Sequence, residues 1–166
     1  MSKDLIPGVW PTSFVCTLIT DQVVVPNSYA LSVSIEPINA SPGAISSGFK
    51  KLRHFVDTYL HNSVFIHKDN PLAELLKDHD TNIVLLPSDP YDYFVGGILY
   101  SKFLAITENN FHIDLISIDS AIGDHIQYNI SVPDECGLDL CGYLWWYGSS
   151  PDSGCVPDAF WDDLDF

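Results

Sequence analysis

Positive charge is scarce in this sequence, and its last 64 residues have none. Seven Lys and Arg residues stand against 22 Asp and Glu residues, so the formal net charge is −15. All seven bases precede Phe103, and twelve acids lie between that residue and Phe166. Such an imbalance repels nucleic acid and anionic membranes and attracts basic surfaces. Direct nucleic-acid or membrane binding is therefore disfavoured, and a basic protein is the expected partner.

Long apolar runs are missing as well. No run approaches the roughly 20 residues that cross a bilayer, and the opening "MSKDLIPGVW" has no apolar signal-peptide core. We therefore expect a cytoplasmic protein. In that compartment Cys16, Cys136, Cys141 and Cys155 are expected to be reduced thiols and not disulfides.

The familiar catalytic motifs are also absent. The chain contains no G-x-S-x-G, no C-x-x-C and no glycine pattern that cradles phosphate. No stretch brings together a nucleophile, a base and an oxyanion donor. These absences favour a protein that is not an enzyme and uses no cofactor.

The patterned part of the chain predicts a single α+β domain. Hydrophobic residues make up 46% of the sequence, enough for a real core. Residues 13–25 and 29–37 read as strands of a hairpin that turns at "VPNS", and Leu31, Val33 and Ile35 share one face. Further strands are predicted at 63–67, 82–87, 111–118 and 125–132.

Three helices separate the later strands. The first is predicted over 44–61, and the second follows an Asn70 cap with Leu72, Leu75 and Leu76 facing inward. The third follows Asp89-Pro90 and contains Gly96-Gly97, which indicates close packing against a neighbouring element. The predicted fold is a mixed or antiparallel sheet with about three helices over 1–148, followed by a linker and an acidic, aromatic tail over 149–166.

One group of side chains could hold a metal ion. Histidine and carboxylate are suitable ligands for zinc, manganese or iron, and two of the candidates alternate on a predicted strand. The wet face of an amphipathic strand has the same pattern, so both interpretations stay open. A small metal-dependent enzyme or metal-binding regulator is the alternative function, and its ligands would be His112, Asp114, Asp119, Asp124 and His125.

Aromatic clusters near the C-terminus are the strongest functional signal. Tryptophan and phenylalanine anchor interfaces because they bury a large area at low rotamer cost, and aspartates between them steer a segment towards a basic groove. Core packing is the favoured interpretation of 143–148, with partner binding as its alternative, whereas folding back onto the domain and partner binding are both open for 160–166. The predicted partner-binding residues are Trp145, Trp146, Phe160, Trp161, Asp162, Asp163, Asp165 and Phe166.

The last residues resemble a known docking element. Asp162, Asp163, Asp165 and Phe166 are similar to the acidic C-terminal tips of bacterial and phage single-stranded-DNA-binding proteins, whose terminal phenylalanine docks in basic pockets. The resemblance covers six to eight residues and implies a docking mode, since the rest of the chain departs from that family. The composition also resembles nucleic-acid mimics, immunity proteins and antitoxins. Together these features predict an acidic inhibitor of a basic, nucleic-acid-handling protein such as a nuclease.

Overall fold

A single mixed sheet and three helices make up the described part of the chain, which is the α+β fold that the sequence predicts. The computed structural model describes residues 8–21, 23–36, 42–78, 82–86, 88–107 and 110–131. Its strands are β1 (Gly8–Ile19), β2 (Val24–Glu36), β3 (Ser63–His67), β4 (Ile83–Leu86), β5 (His112–Ser120) and β6 (Tyr128–Ile130). Its helices are α1 (Pro42–Phe55), α2 (Pro71–Lys77) and α3 (Asp92–Thr107), with a π-helical turn at Val56–Leu60 and a 3-10 turn at Ala121–Gly123.

The strands are ordered β4-β3-β1-β2-β5-β6 across the sheet. β3 is parallel to both β1 and β4, whereas the β1–β2, β2–β5 and β5–β6 pairs are antiparallel. Consequently β1, β3, β4 and β5 run in one direction and end at the same edge of the sheet. We call this edge the upper edge. The start of α3 and the turn after β5 meet there.

The core lies on one face of the sheet, as the alternation in β2 predicts. Tyr29, Leu31, Val33 and Ile35 are buried beneath α1 and α3, while the intervening serines point to the other face. A smaller cluster forms on that second face, where Ala73 of α2 packs against β3 and β4. Among the described elements, α2 covers this face at β3, β4 and Ile19, the last residue of β1. The second face of β1 and β2 is therefore open at Ser13, Val15, Ser28 and Ala30.

The first hairpin was predicted to turn at residues 25–28, and this prediction is wrong. The turn is closed by the bond from Thr20 N to Val23 O at 2.9 Å, so Pro26 lies inside β2. β5 extends along β2 only as far as the Tyr29–Ser120 pair. Pro26 therefore lies where β2 has become an edge strand on that side, and edge strands tolerate the missing N–H of proline.

The end of α1, the buried face of α2 and the length of β6 also differ from the predictions. α1 ends at Phe55, and the π-helical turn completes the segment predicted as one helix. In α2, Leu76 packs against the sheet as predicted, but Leu72 and Leu75 are 41% and 63% exposed, because this seven-residue helix contacts the sheet through Ala73 and Leu76. β6 spans three residues only, because the chain needs residues 121–127 to reverse direction, and Ile126 is exposed.

The other details agree with the sequence. Asn70 caps α2 by accepting a hydrogen bond from Leu72 N at 3.0 Å. Gly96 lies where α3 crosses the sheet, and a Cβ atom there would come within 2.8 Å of Ile118 Cγ2. Glycine thus permits the close packing that the sequence indicates. None of the described helices has both the length and the apolar character needed to cross a bilayer.

Candidate functional site

The open face of β1 and β2 forms a groove, which we call the sheet groove. Two adjoining cavities of about 440 and 220 Å³ lie along it and share Val15, Ser28 and Ala121. The small side chains of β1 and β2 form the floor and allow a bound group to approach the backbone. The walls are the His61–Asn62 turn on one side and residues 119–125 on the other.

Both walls contain backbone that is costly for residues other than glycine. Asn62, Asp124 and His125 have φ angles of 62°, 53° and 57°. Each left-handed residue costs on the order of 1 kcal/mol, and such residues concentrate at functional sites. Asn62 N donates to Val15 O at 2.8 Å, and Ile122 N donates to the Asn27 side chain at 3.3 Å. These bonds attach the walls to β1 and β2.

A carboxylate lies beneath the upper end of the groove. Asp92, the first residue of α3, accepts hydrogen bonds from Tyr29 Oη at 3.0 Å and Ser120 Oγ at 2.8 Å. Ser120 Oγ in turn accepts from Gly123 N at 3.0 Å. Asp92 therefore connects β2, the end of β5 and the 3-10 turn to the start of α3.

This environment keeps the two nearest acidic groups neutral. Burial, and next the negative charge of Asp92, raise the pKa of the Cys16 thiol from 9.0 to about 12. The same two causes, in the same order, raise the pKa of the fully buried Tyr29 phenol well above its usual range. Since the thiolate is the nucleophilic form of cysteine, Cys16 is not suited to nucleophilic catalysis.

Native Cys16 should therefore resist alkylation. At pH 8 the rise from 9.0 to about 12 reduces the thiolate fraction on the order of 1000-fold. Iodoacetamide labelling followed by peptide mass spectrometry should show this protection, with the urea-unfolded chain as the control. Native labelling of Cys16 within tenfold of the unfolded rate would contradict the assigned environment.

The residues of the candidate metal cluster are separated. His125 Nδ1 lies 3.3 Å from Asp119 Oδ1 in one wall of the groove. His112 is seven residues from Asp119 along β5, or roughly 23 Å at the usual rise of a strand. Among the described residues, no three His, Cys, Asp or Glu side chains form a group that could hold a metal ion. Of the five candidate metal ligands, His125 and Asp119 form a pair, and the five residues do not form one metal site.

The partner-binding residues predicted from sequence all lie outside the described residues; they are Trp145, Trp146, Phe160, Trp161, Asp162, Asp163, Asp165 and Phe166. No sequence pattern predicts the sheet groove or the contacts of Asp92. An acid at the start of a helix is already explained by the helix dipole, which favours negative charge there. Tyr29 and Asp92 are 63 residues apart, and no sequence pattern links them. Pro26-Asn27 lines the larger cavity, but as a sequence pattern this pair predicts a turn and not a groove.

The charge is divided unevenly between the described residues and the rest. Eleven of the 22 acids and six of the seven bases are described, which leaves a net charge of −5 there. Residues 132–166 contribute eight acids and no Lys or Arg, together with seven aromatic side chains. The densest negative charge and a third of the aromatic residues thus share one segment.

No protein-family model matches the chain, and no curated protein matches it. Among solved structures it is similar to a catalytic-residue mutant of 6-pyruvoyltetrahydropterin synthase from Plasmodium vivax. The TM-score is 0.47 and the sequence identity 9%, over 76% of this chain and 99% of that one. A similarity at this level carries no inference about activity.

Proposed function

We propose that this protein is a non-enzymatic, acidic inhibitor that acts in the cytoplasm. Its partner is a basic protein that handles nucleic acid, such as a nuclease, and the protein binds it through its acidic C-terminal surface. The anchors are Trp145, Trp146, Phe160, Trp161 and Phe166, and the carboxylates of Asp162, Asp163 and Asp165 pair with Lys or Arg on the partner.

The uneven division of charge and aromatic residues carries this proposal. Residues 132–166 hold a charge of −8 without one Lys or Arg. Carboxylates arranged around large aromatic side chains complement a basic surface that contains apolar pockets, and such pairs give both fast association and strong anchoring. Phosphate mimicry needs the same local density of carboxylates.

The protonation states and hydrogen bonds around Asp92 also support a binding role over a catalytic one. Cys16 and Tyr29 are both held in their neutral forms beside Asp92. The Asp92 carboxylate already accepts two hydrogen bonds, so it serves to join elements of the fold. These groups stabilise the domain, and a neutral thiol and phenol are poor nucleophiles, which is consistent with a binding protein.

Replacement of the terminal anchors should weaken partner binding by more than about 30-fold. This corresponds to the roughly 2 kcal/mol expected when an interface anchor is lost. The variant combines Phe160→Ala, Trp161→Ala and Phe166→Ala. The partner is first identified by affinity capture with the full chain. Biolayer interferometry then measures the dissociation constant of the partner for the parent chain and for the triple variant. The melting temperature should stay unchanged.

Salt and a matched variant provide the controls. A Ser149→Ala, Ser150→Ala chain should bind like the parent. The association rate of the parent should fall steeply as salt rises to physiological strength, where the Debye length is about 8 Å. Unchanged affinity of the triple variant, or an association rate that is flat across this range, would overturn the proposal.

A further inference from the structure

We propose that the upper edge of the sheet carries a second docking surface for the basic partner. This surface, the upper-edge patch, consists of Tyr91, Tyr93, Ile122 and Ile126 with the carboxylates Asp89 and Asp124. The inference extends the proposed function, because it takes from it the basic character of the partner. Its evidence is separate, because every residue of the patch is described.

Two segments of the chain form the patch. Tyr91 and Tyr93 are 62% and 38% exposed beside the start of α3, and Ile122 and Ile126 are 52% and 57% exposed in the turn after β5. The bond from Ser120 Oγ to Asp92 holds the two segments together. Ile126 N donates to Gly123 O at 3.1 Å, which closes the turn. A Cβ atom on Gly123 would overlap Asp92 Oδ2, so the turn between the two isoleucines lies against the start of α3.

The aromatic residues have the arrangement of an interface anchor. The Phe94 ring lies 6.3 Å from the Tyr91 ring and 6.0 Å from the Tyr93 ring, in the second case edge to face. Phe94 is half-buried, so it supports two tyrosines that project further into solvent. Exposed aromatic residues with aliphatic neighbours favour a partner with a matching apolar surface.

The charges around the patch define the rest of the partner's chemistry. Asp89 lies two residues before Tyr91, and Asp124 lies between Ile122 and Ile126 in the chain. Asp119 pairs with His125 at 3.3 Å in the wall of the sheet groove. No Lys or Arg occurs between Lys77 and Lys102 or after Lys102 in the chain. Lys68 follows β3, which is three strands from β5 in the sheet and thus roughly 14 Å away. A partner that presents aliphatic side chains among Lys or Arg complements this surface.

The charge also argues against this chain's own C-terminal segment as the occupant. Residues 132–166 carry a charge of −8, and the patch is itself acidic. Like charges disfavour their contact. Both surfaces therefore complement the same basic partner.

A synthetic peptide can test the patch without a natural partner. The probe is an amphipathic leucine–lysine helix of about 14 residues, near the length at which isolated helices become stable. A peptide with the same lysines but glutamine in place of leucine reports on charge alone. Each is titrated into the ¹⁵N-labelled full chain, and amide shifts are mapped. We expect the leucine–lysine peptide to shift residues 89–94 and 120–126, and the glutamine peptide to shift them much less.

Variants of the full chain then separate this inference from the proposed function. Tyr91→Ser with Ile126→Ser should weaken peptide binding at least tenfold, whereas Leu72→Ser with Leu75→Ser, at two exposed apolar positions on α2, should not. The tail variant lacking its three aromatic anchors should keep the shifts at the patch. Shifts confined to residues 132–166 would overturn the patch and leave the proposed function standing. Equal shifts with the glutamine peptide would overturn apolar anchoring at the patch.

Discussion

Asp92→Ala should lower the free energy of unfolding by about 3 kcal/mol. The substitution leaves the Tyr29 and Ser120 hydroxyls, both fully buried, without their acceptor. Each unsatisfied buried polar group costs about 1–3 kcal/mol, and the favourable charge at the start of α3 is lost as well. Urea denaturation followed by circular dichroism measures the change.

The destabilisation by Asp92→Ala should largely disappear when the Tyr29 and Ser120 hydroxyls, which donate to Asp92, are removed first. In a Tyr29→Phe, Ser120→Ala background, Asp92→Ala leaves no hydroxyl unpaired and should cost about 1 kcal/mol or less. Asp89→Ala serves as the control in the parent chain, since Asp89 also precedes the body of α3 but accepts no described hydrogen bond through its carboxylate. If Asp92→Ala costs as much in the double variant as in the parent, the assigned network is wrong.

Gly96→Val should destabilise the protein by about 3 kcal/mol, even though valine has the higher intrinsic helix propensity. Added side-chain atoms would overlap Ile118 and Ile130, which lie on β5 and β6 directly beneath α3. Overpacking of a filled core costs roughly 1–3 kcal/mol and exceeds the few tenths gained from propensity. The midpoint of urea unfolding reports the effect.

A valine substitution at another position of α3 is the control for Gly96→Val. Ser101 is half-buried, and serine and valine have similar helix propensities, so Ser101→Val should change stability by less than about 1 kcal/mol. Adding Ile130→Ala to Gly96→Val should recover part of the loss, because it removes atoms that the new side chain meets. A Gly96→Val chain as stable as the parent would show that α3 and the sheet are further apart than described.

Local patterns identified most of the secondary structure but not the ends of the elements. The alternation around Leu31, Val33 and Ile35 correctly predicts a strand with one buried face, and Asn70 correctly predicts a helix start. Pro26-Asn27 is a strong local turn signal, yet it lies within β2. Whether a strand tolerates proline depends on which neighbour is present at that level of the sheet, and this is set by where β5 ends.

The sequence by itself determined the fold class, the burial of the β2 face and the concentration of acids and aromatic residues after residue 131. Each follows from composition or from a short period along the chain. Only the tertiary structure decided which polar groups meet. It joined Asp92 to Tyr29 and Ser120, separated His112 from His125, and exposed Leu75 while burying Ala73. These outcomes depend on strand order, register and the packing of α2 and α3, which bring together or separate residues independently of their spacing in the chain.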